Sequence, residues 1–297
     1  MKRDLALVAY SSSEESESEQ SSSQPPKKRK LPVLSSTLVA PQHVDDPALH
    51  QGRTRTTPHV DGQYATHIYA SVALDRGSTL FKLLCKIISS AKKMTPTLHD
   101  FWSSLKDSQP ELHISLSRPL YLRSHQREDM KRAVKRVAEK TLPFTASFAH
   151  ISELVNDEAT RIFLALEIGA GHHELAALTS SLTPTLQAFR QQEFYAAPRF
   201  HASIGWALLG GRSNPPHSAT HSNAVQAPIS SGSISTDSSN SAMFPAPQIT
   251  EFPPALLPAL NEQYGPALTG STVKIFEIND ISIKIGKEVS CWRLNGT

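Results

Sequence analysis

Cysteine is scarce in this sequence, which has only Cys85 and Cys291 in 297 residues. Two thiols so far apart argue against a disulfide scaffold and against a cysteine-based zinc site, and they fit a reducing compartment. Long apolar runs are lacking too, because none approaches the roughly 18 residues of a membrane span. The start, Met1-Lys2-Arg3-Asp4, soon runs into an acidic serine tract, so we expect neither a secretory signal peptide nor a membrane segment.

Several catalytic motifs are missing as well. The phosphate-binding loop Gly-x-x-x-x-Gly-Lys-Ser/Thr, the zinc motif His-Glu-x-x-His and the esterase motif Gly-x-Ser-x-Gly do not occur in the sequence. Their absence argues against loop-based nucleotide hydrolysis, zinc proteolysis and esterase chemistry. The formal net charge of +3 is a weak guide, because it permits contact with nucleic acid without requiring it.

Two stretches have the composition of disordered chain, and they delimit the folded domain. Residues 1–50 form a predicted tail, and its basic cluster, Pro25–Lys30, is typical of nuclear-import signals; a solvated charge run is the alternative. Residues from about 210 to 250 are rich in serine and nearly uncharged, which predicts a disordered insertion. The rest of 51–297 amounts to roughly 200 residues, enough for a substantial core.

Apolar periodicity predicts an alternation of strands and helices in the folded part. Helices are predicted from Ser78 or Thr79, from Ser124 to Lys140, over 175–189 and over 256–264. Strands are predicted at 64–74, 111–117, from Phe144, 161–168, 199–207, 273–278, 281–285 and 289–294. This order indicates an α+β fold: two pseudo-symmetric lobes of mainly antiparallel sheet, with flanking helices, around a central cleft.

Two of the predicted strands carry the same five-residue pattern of apolar, His, apolar, Ser, apolar. The first is Leu112-His113-Ile114-Ser115-Leu116, and the second is Phe200-His201-Ala202-Ser203-Ile204. Side chains alternate between the two faces of a strand, so each His shares a face with its Ser while the apolar side chains share the other. Two such strands can bring two histidines and two hydroxyls to one cleft.

The tripeptide His-x-Ser proves little alone, because a third copy begins at His150 without the apolar flanks. We interpret His150 as a polar residue near a hairpin with no catalytic role. For the matched pair, ordinary core or edge-strand histidines remain one alternative and a metal site another. No carboxylate follows at ligand spacing on either strand, where the next positions on the face are Ser and then Ser117 or Gly205. We therefore expect no metal and no cofactor.

Two histidines and two hydroxyls suit the transfer of a phosphodiester to a neighbouring 2′-hydroxyl. That reaction needs a base for the hydroxyl proton and an acid for the departing 5′-oxygen. Histidine titrates near pH ~6.5, so one neutral and one protonated copy can coexist near neutrality. The serine hydroxyls can donate hydrogen bonds to the non-bridging oxygens as negative charge builds there.

On these motifs the sequence resembles the 2H phosphoesterase superfamily, and more closely the U6 small nuclear RNA phosphodiesterase family of 3′–5′ exoribonucleases. The resemblance covers about 52–206 and 251–294. The matching blocks are 52–59, 65–69, 112–117, 160–167, 194–206 and 284–287.

The resemblance implies a metal-independent enzyme of the nucleus that trims the 3′ oligouridine end of U6 RNA and leaves a 2′,3′-cyclic phosphate. It implies His113 as general base, His201 as general acid, and Ser115 and Ser203 as the phosphate-binding pair. Tyr195 is then the contact to the terminal base or ribose, with a core aromatic as the alternative.

Other readings of the sequence stay open. One is another 2H activity, on 2′,3′-cyclic nucleotides or 2′–5′ linkages, and another is a non-catalytic nuclear RNA-binding factor. On the leading reading the expected partner is RNA, at the 3′ end of U6 small nuclear RNA, with no membrane. We expect a monomer, because both motifs lie in one chain.

Overall fold

The computed structural model describes residues 47–53, 57, 60–103, 109–210, 246–270 and 275–296. All of them fall in one unit, Val44–Thr297. The basic cluster and most of the predicted tail and serine-rich insertion lie outside the described residues. In the described part, no helix is both long and apolar enough to cross a membrane.

Helices and strands follow the predicted order closely. The α-helices of the described part are α1 (Thr79–Met94), α2 (Arg127–Lys140), α3 (His172–Ala188) and α4 (Leu256–Thr269), and short 3-10 helices span Pro47–His50 and Ser124–Gln126. The strands are β1 (Gln63–Ala73), β2 (His99–Asp100), β3 (Glu111–Ser115), β4 (Leu120–Arg123), β5 (Phe144–Ala146), β6 (Phe148–Val155), β7 (Arg161–Ile168), β8 (His201–Leu208), β9 (Phe276–Ile278), β10 (Asp280–Ile285) and β11 (Glu288–Arg293).

Nine of these strands form one antiparallel sheet in the order β11-β10-β1-β3-β8-β7-β6, with β4 paired to β1 and β2 paired to β8. The remaining strands, β5 and β9, pair with each other. The predicted α+β architecture with mainly antiparallel sheet is confirmed. The two predicted lobes are halves of this one sheet, and they meet where β3 lies beside β8.

Helix α1 shows why the sequence folds as predicted. Its apolar residues recur every three or four positions and are buried, while the Ser78 side-chain oxygen accepts the backbone N–H of Phe81 at 3.1 Å. Lys92 and Lys93 lie in the last turn, where positive charge suits the helix dipole. Pro184 lies inside α3 without ending it.

Two local predictions are wrong. Ser124 does not cap α2; it begins the 3-10 turn, which is closed when the Gln126 side-chain oxygen accepts the backbone N–H of Arg123 at 2.8 Å. The alternating stretch from Phe144 is not one strand, because β5 leaves the main sheet to pair with β9 and β6 starts only at Phe148. Alternation indicates which face a residue takes but not the strand it pairs with.

Candidate active site

The two His-x-Ser strands are neighbours in the sheet. Ile114 of β3 pairs with Ala202 of β8, and both are completely buried on the core face. In an antiparallel register this pair sets His113 beside Ser203 and Ser115 beside His201 on the opposite face. His113 and His201 are diagonal neighbours in this register. The backbones of such neighbours lie roughly 7–8 Å apart, so the two imidazole rings can reach one phosphate from either side. The structure therefore brings all four predicted residues together.

His113 is held by a ring and a carboxylate. The Tyr69 ring stacks on the imidazole with centroids 3.9 Å apart, and Glu111 Oε1 lies 2.6 Å from His113 Nε2. Burial and the neighbouring Glu111 raise the pKa of Tyr69 to about 12, so its hydroxyl keeps its proton. A neutral His113 that donates Nε2–H to Glu111 keeps the Nδ1 lone pair as the proton acceptor. A carboxylate in that position can stabilise an imidazolium, as in catalytic triads.

Ser115 has a histidine partner from β1. His67 Nε2 lies 3.0 Å from Ser115 Oγ. Burial, with the charges of His113 and Lys284, lowers the pKa of His67 to about 4, so its ring is neutral at physiological pH. A neutral ring that donates Nε2–H to Oγ leaves the serine O–H proton for a phosphate oxygen. His67 thus orients the predicted phosphate-binding hydroxyl.

His201 is fixed through its other nitrogen. Its Nδ1–H donates to the backbone carbonyl of Arg199 at 2.6 Å, which leaves Nε2 as the reactive nitrogen. Burial lowers the pKa of His201, while that carbonyl and the Glu167 carboxylate act in the opposite direction. Glu167 is the cross-strand neighbour of His201 on β7 and forms an ion pair with the Arg199 side chain. Once protonated, His201 is therefore a stronger acid than an exposed histidine.

The third His-x-Ser copy lies on β6, the strand next to β7 in the sheet. His150 of β6 is the cross-strand neighbour of Glu167, and its Nε2 lies 3.8 Å from Glu167 Oε1. One strand, β7, lies between His150 and His201 in the sheet. Its lack of a catalytic role stays a prediction.

Tyr195 is an exposed residue, with 43% of its surface accessible, and the alternative of a core aromatic is wrong. Its hydroxyl donates to Asp157 at 2.8 Å, and the Arg118 guanidinium lies 4.6 Å from its ring centre. Burial of the hydroxyl and the Asp157 charge raise the pKa of Tyr195. Tyr195 is connected to the site through Phe194, whose ring stacks on Phe200, the residue before His201. The structure thus offers an accessible aromatic ring close in sequence to the second motif.

Sequence reasoning did not assign His67, Tyr69, Glu111 or Glu167 to the site. Glu111 lies two residues before His113 rather than after it, and so shares its face of the strand. The same alternation places His67 and Tyr69 on the face of β1 opposite to the buried Ile68. No group of three or more His, Cys, Asp or Glu side chains is placed to hold a metal ion within the described ranges.

Paired His and Ser side chains on adjacent antiparallel strands are the arrangement that the sequence predicts for a two-histidine phosphoesterase. The HVSL family model, described as "Uncharacterised conserved protein", matches residues 24–290. A Xenopus laevis protein named U6 snRNA phosphodiesterase 1 is 31% identical over 210 residues, which cover 69% of this chain and 80% of that protein. The chain therefore belongs to the HVSL family, and it is a relative of the U6 snRNA phosphodiesterase 1 proteins.

Other relatives of that name match over a shorter part. The rat and human proteins are each 30% identical over 168 residues, which are 57% of this chain and 59% and 60% of those proteins. The chain thus spans about three fifths of their length. A solved structure of Kluyveromyces marxianus Usb1 is similar with 12% identity over 77% of this chain and 98% of that one, at a TM-score of 0.46. Escherichia coli LigT gives 10% identity over 79% and 96%, at 0.36.

Proposed function

We propose that this protein is a metal-independent 3′–5′ exoribonuclease that trims the 3′ oligouridine end of U6 small nuclear RNA. The observation that carries the proposal is the Ile114–Ala202 pairing, which sets two histidines and two serines around one point. The substrate follows from the relatives, which are named U6 snRNA phosphodiesterase 1. Within the family this site geometry favours an enzyme over a non-catalytic RNA-binding factor.

The reaction is a transesterification at the last phosphodiester. His113 takes the proton from the 2′-hydroxyl of the penultimate nucleotide, whose oxygen attacks phosphorus. The bond from phosphorus to the 5′-oxygen breaks, and His201 donates the proton that this oxygen needs. A nucleoside leaves, and the shortened RNA ends in a 2′,3′-cyclic phosphate, which the reverse proton transfers with water can open.

Each role has a physical support in the structure. Glu111 stabilises positive charge on His113 after it has taken the proton, as required of a base. The Arg199 carbonyl fixes the His201 tautomer, and Glu167 places a negative charge beside the protonated acid. Ser115 and Ser203 donate to the non-bridging oxygens, where charge grows in the transition state. Tyr195 stacks on the terminal base or contacts its ribose.

The proposed place of action is the nucleus, because the predicted import cluster Pro25–Lys30 and a U6 RNA substrate point to the same compartment. The proposed state is a monomer, since one chain contains both motifs.

The test is end-group analysis of an RNA ending in uridines, incubated with purified protein in EDTA. We expect stepwise loss of 3′ uridine, release of a nucleoside and a cyclic phosphate end. Trimming that EDTA abolishes would contradict the metal-independent mechanism. Opening of small cyclic nucleotides with no action on the RNA would indicate another 2H activity, and tight binding without turnover would indicate a binding factor.

A further inference from the structure

Two arginines lie over a pair of aromatic rings on the same sheet face as the catalytic candidates. The Arg161 guanidinium is 5.4 Å from the Phe163 ring centre, and the Arg53 guanidinium is 5.4 Å from the Trp206 ring centre. Phe163 and Trp206 are cross-strand partners on β7 and β8. The His99 ring stacks on Trp206 with centroids 4.5 Å apart, which holds the indole in place beneath Arg53.

Strand alternation connects this arrangement to the active site. Along β7, Arg161, Phe163, Ala165 and Glu167 take one face, while the residues between them are buried in the core. Ala165 is opposite Ser203, the predicted phosphate-binding serine, and Glu167 is opposite His201. Arg161 is four residues from Ala165 along the strand, a distance of about 13 Å.

Within the described part of the chain, the Arg161 guanidinium has no carboxylate in direct contact. Its side chain forms no hydrogen bond or ion pair with another described residue, although the charge of Glu158 in the β6–β7 turn acts on it. Burial and the nearby charge of Arg53 lower its pKa, so the free protein holds two like charges close together. A guanidinium is a favourable partner for phosphate oxygens, and an anion bound between the two would relieve their repulsion.

We propose that Arg53 and Arg161 form a second phosphate site, which binds a backbone phosphate of the RNA upstream of the scissile bond. This site rests on the proposed function, because an RNA chain longer than two nucleotides supplies a phosphate beyond the one being cleaved. Trp206 and Phe163 hold the guanidinium groups through their ring faces. Because the site contacts a phosphate and no base, it should strengthen the binding of longer RNA without a preference for sequence.

The experiment measures binding of uridine oligonucleotides whose penultimate 2′-oxygen is methylated, so that no cleavage occurs. A uridine dinucleotide contains only the scissile phosphate, whereas an octanucleotide reaches the second site. Affinities are measured over a range of salt concentrations for the wild type, Arg161→Gln, Arg161→Lys and Arg53→Gln. Arg132→Gln on α2 is the matched control, because its guanidinium pairs with Asp129 on the same helix.

We expect Arg161→Gln to weaken octanucleotide binding about tenfold, in line with the loss of a charged hydrogen bond, and to leave dinucleotide binding unchanged. The slope of log affinity against log salt should fall by about one. Arg53→Gln should act in the same direction, while Arg161→Lys and Arg132→Gln should keep the salt slope of the wild type.

A second measurement identifies the phosphate. Neutral methylphosphonate linkages, introduced one at a time upstream of the scissile bond, should weaken wild-type binding at one linkage, and that linkage should have no effect in Arg161→Gln. Unchanged octanucleotide affinity in Arg161→Gln, or an equal loss for the dinucleotide, would overturn the proposal. If Arg161→Gln does not fold, Arg53→Gln and the methylphosphonate scan of the wild type decide. Absence of trimming by the wild type on ordinary RNA would refute the proposed function and leave this comparison valid.

Discussion

Ile114 and Ala202 form the residue pair that joins β3 to β8, and the two motifs are related by a local two-fold axis through it. A half-turn about that axis exchanges the strands and moves His113 onto His201 and Ser115 onto Ser203. Both residues of the pair are fully buried, so the core fixes the position of the axis. The two histidines occupy equivalent positions, and their surroundings alone make them different.

The first prediction separates the base from the acid. His113→Ala and His201→Ala should each slow trimming by about 10²–10⁴-fold. A substrate with sulfur in place of the bridging 5′-oxygen needs no acid, because a thiolate leaves without a proton. It should therefore restore much of the rate of His201→Ala but not of His113→Ala. His150→Ala serves as a control and should trim both substrates normally.

The opposite outcome would reverse the two roles. Rescue of His113→Ala by the sulfur substrate would make His113 the acid, and the Glu111 contact would then stabilise its starting proton. Equal rescue of both variants would contradict any separation of the roles.

Glu111 should matter through charge rather than through volume. Glu111→Gln keeps the shape but leaves the imidazolium on His113 without its anionic partner. We expect kcat to fall by roughly ten- to hundredfold, the range of a charged hydrogen bond, with KM little changed. Rapid-quench single-turnover kinetics measure this step directly. A rise in KM at constant kcat would instead place Glu111 in substrate binding.

The alkaline limb of the pH profile should report His201. Because burial lowers the pKa of His201, the protonated acid is lost below the pH at which an exposed histidine titrates. Glu167 opposes that shift, so Glu167→Gln should move the alkaline limb of kcat/KM to lower pH still. Glu153→Gln, an exposed change on β6, should leave the limb in place. A limb that moves to higher pH in Glu167→Gln would contradict the assignment of His201 as acid.

His67 should make folding stability depend on pH. Its pKa is about 4 in the folded protein and 6.5 in the unfolded chain, so the unfolded chain binds the proton first as the pH falls. The free energy of unfolding should thus decline between these two pH values, by up to about 3 kcal/mol from this group. Urea unfolding across that range should show a shallower decline in His67→Gln. A wild-type slope in His67→Gln would refute the assignment.

Local pattern predicted much of this molecule. The period of two placed β7 at Arg161–Ile168, and the helical period with Ser78 placed the start of α1. Face alternation also put each motif His beside its Ser. Local pattern could not predict the strand register, because pairing β3 with β8 depends on contacts between residues 88 positions apart in the chain. For the same reason Glu167, which lies in a strand with no motif, could not be assigned to His201.

Tyr195 gives the last prediction, because its ring and its hydroxyl do different things. The hydroxyl donates to Asp157, and Arg118 lies against the ring and pairs with the same carboxylate. Tyr195→Ala removes the stacking face and should raise KM for a uridine-ended RNA roughly ten- to hundredfold, the range of base stacking on an aromatic ring. Tyr195→Phe keeps the ring and should bind nearly as well as the wild type.

Arg118 gives the matched comparison, since its guanidinium must leave the ring if the base stacks on that face. Arg118→Ala should then lower KM, because the face is open before the RNA arrives. An equal rise of KM in Tyr195→Phe and Tyr195→Ala would show that the hydroxyl rather than the ring contacts the RNA. A rise of KM in Arg118→Ala would mean that the guanidinium itself binds the nucleotide.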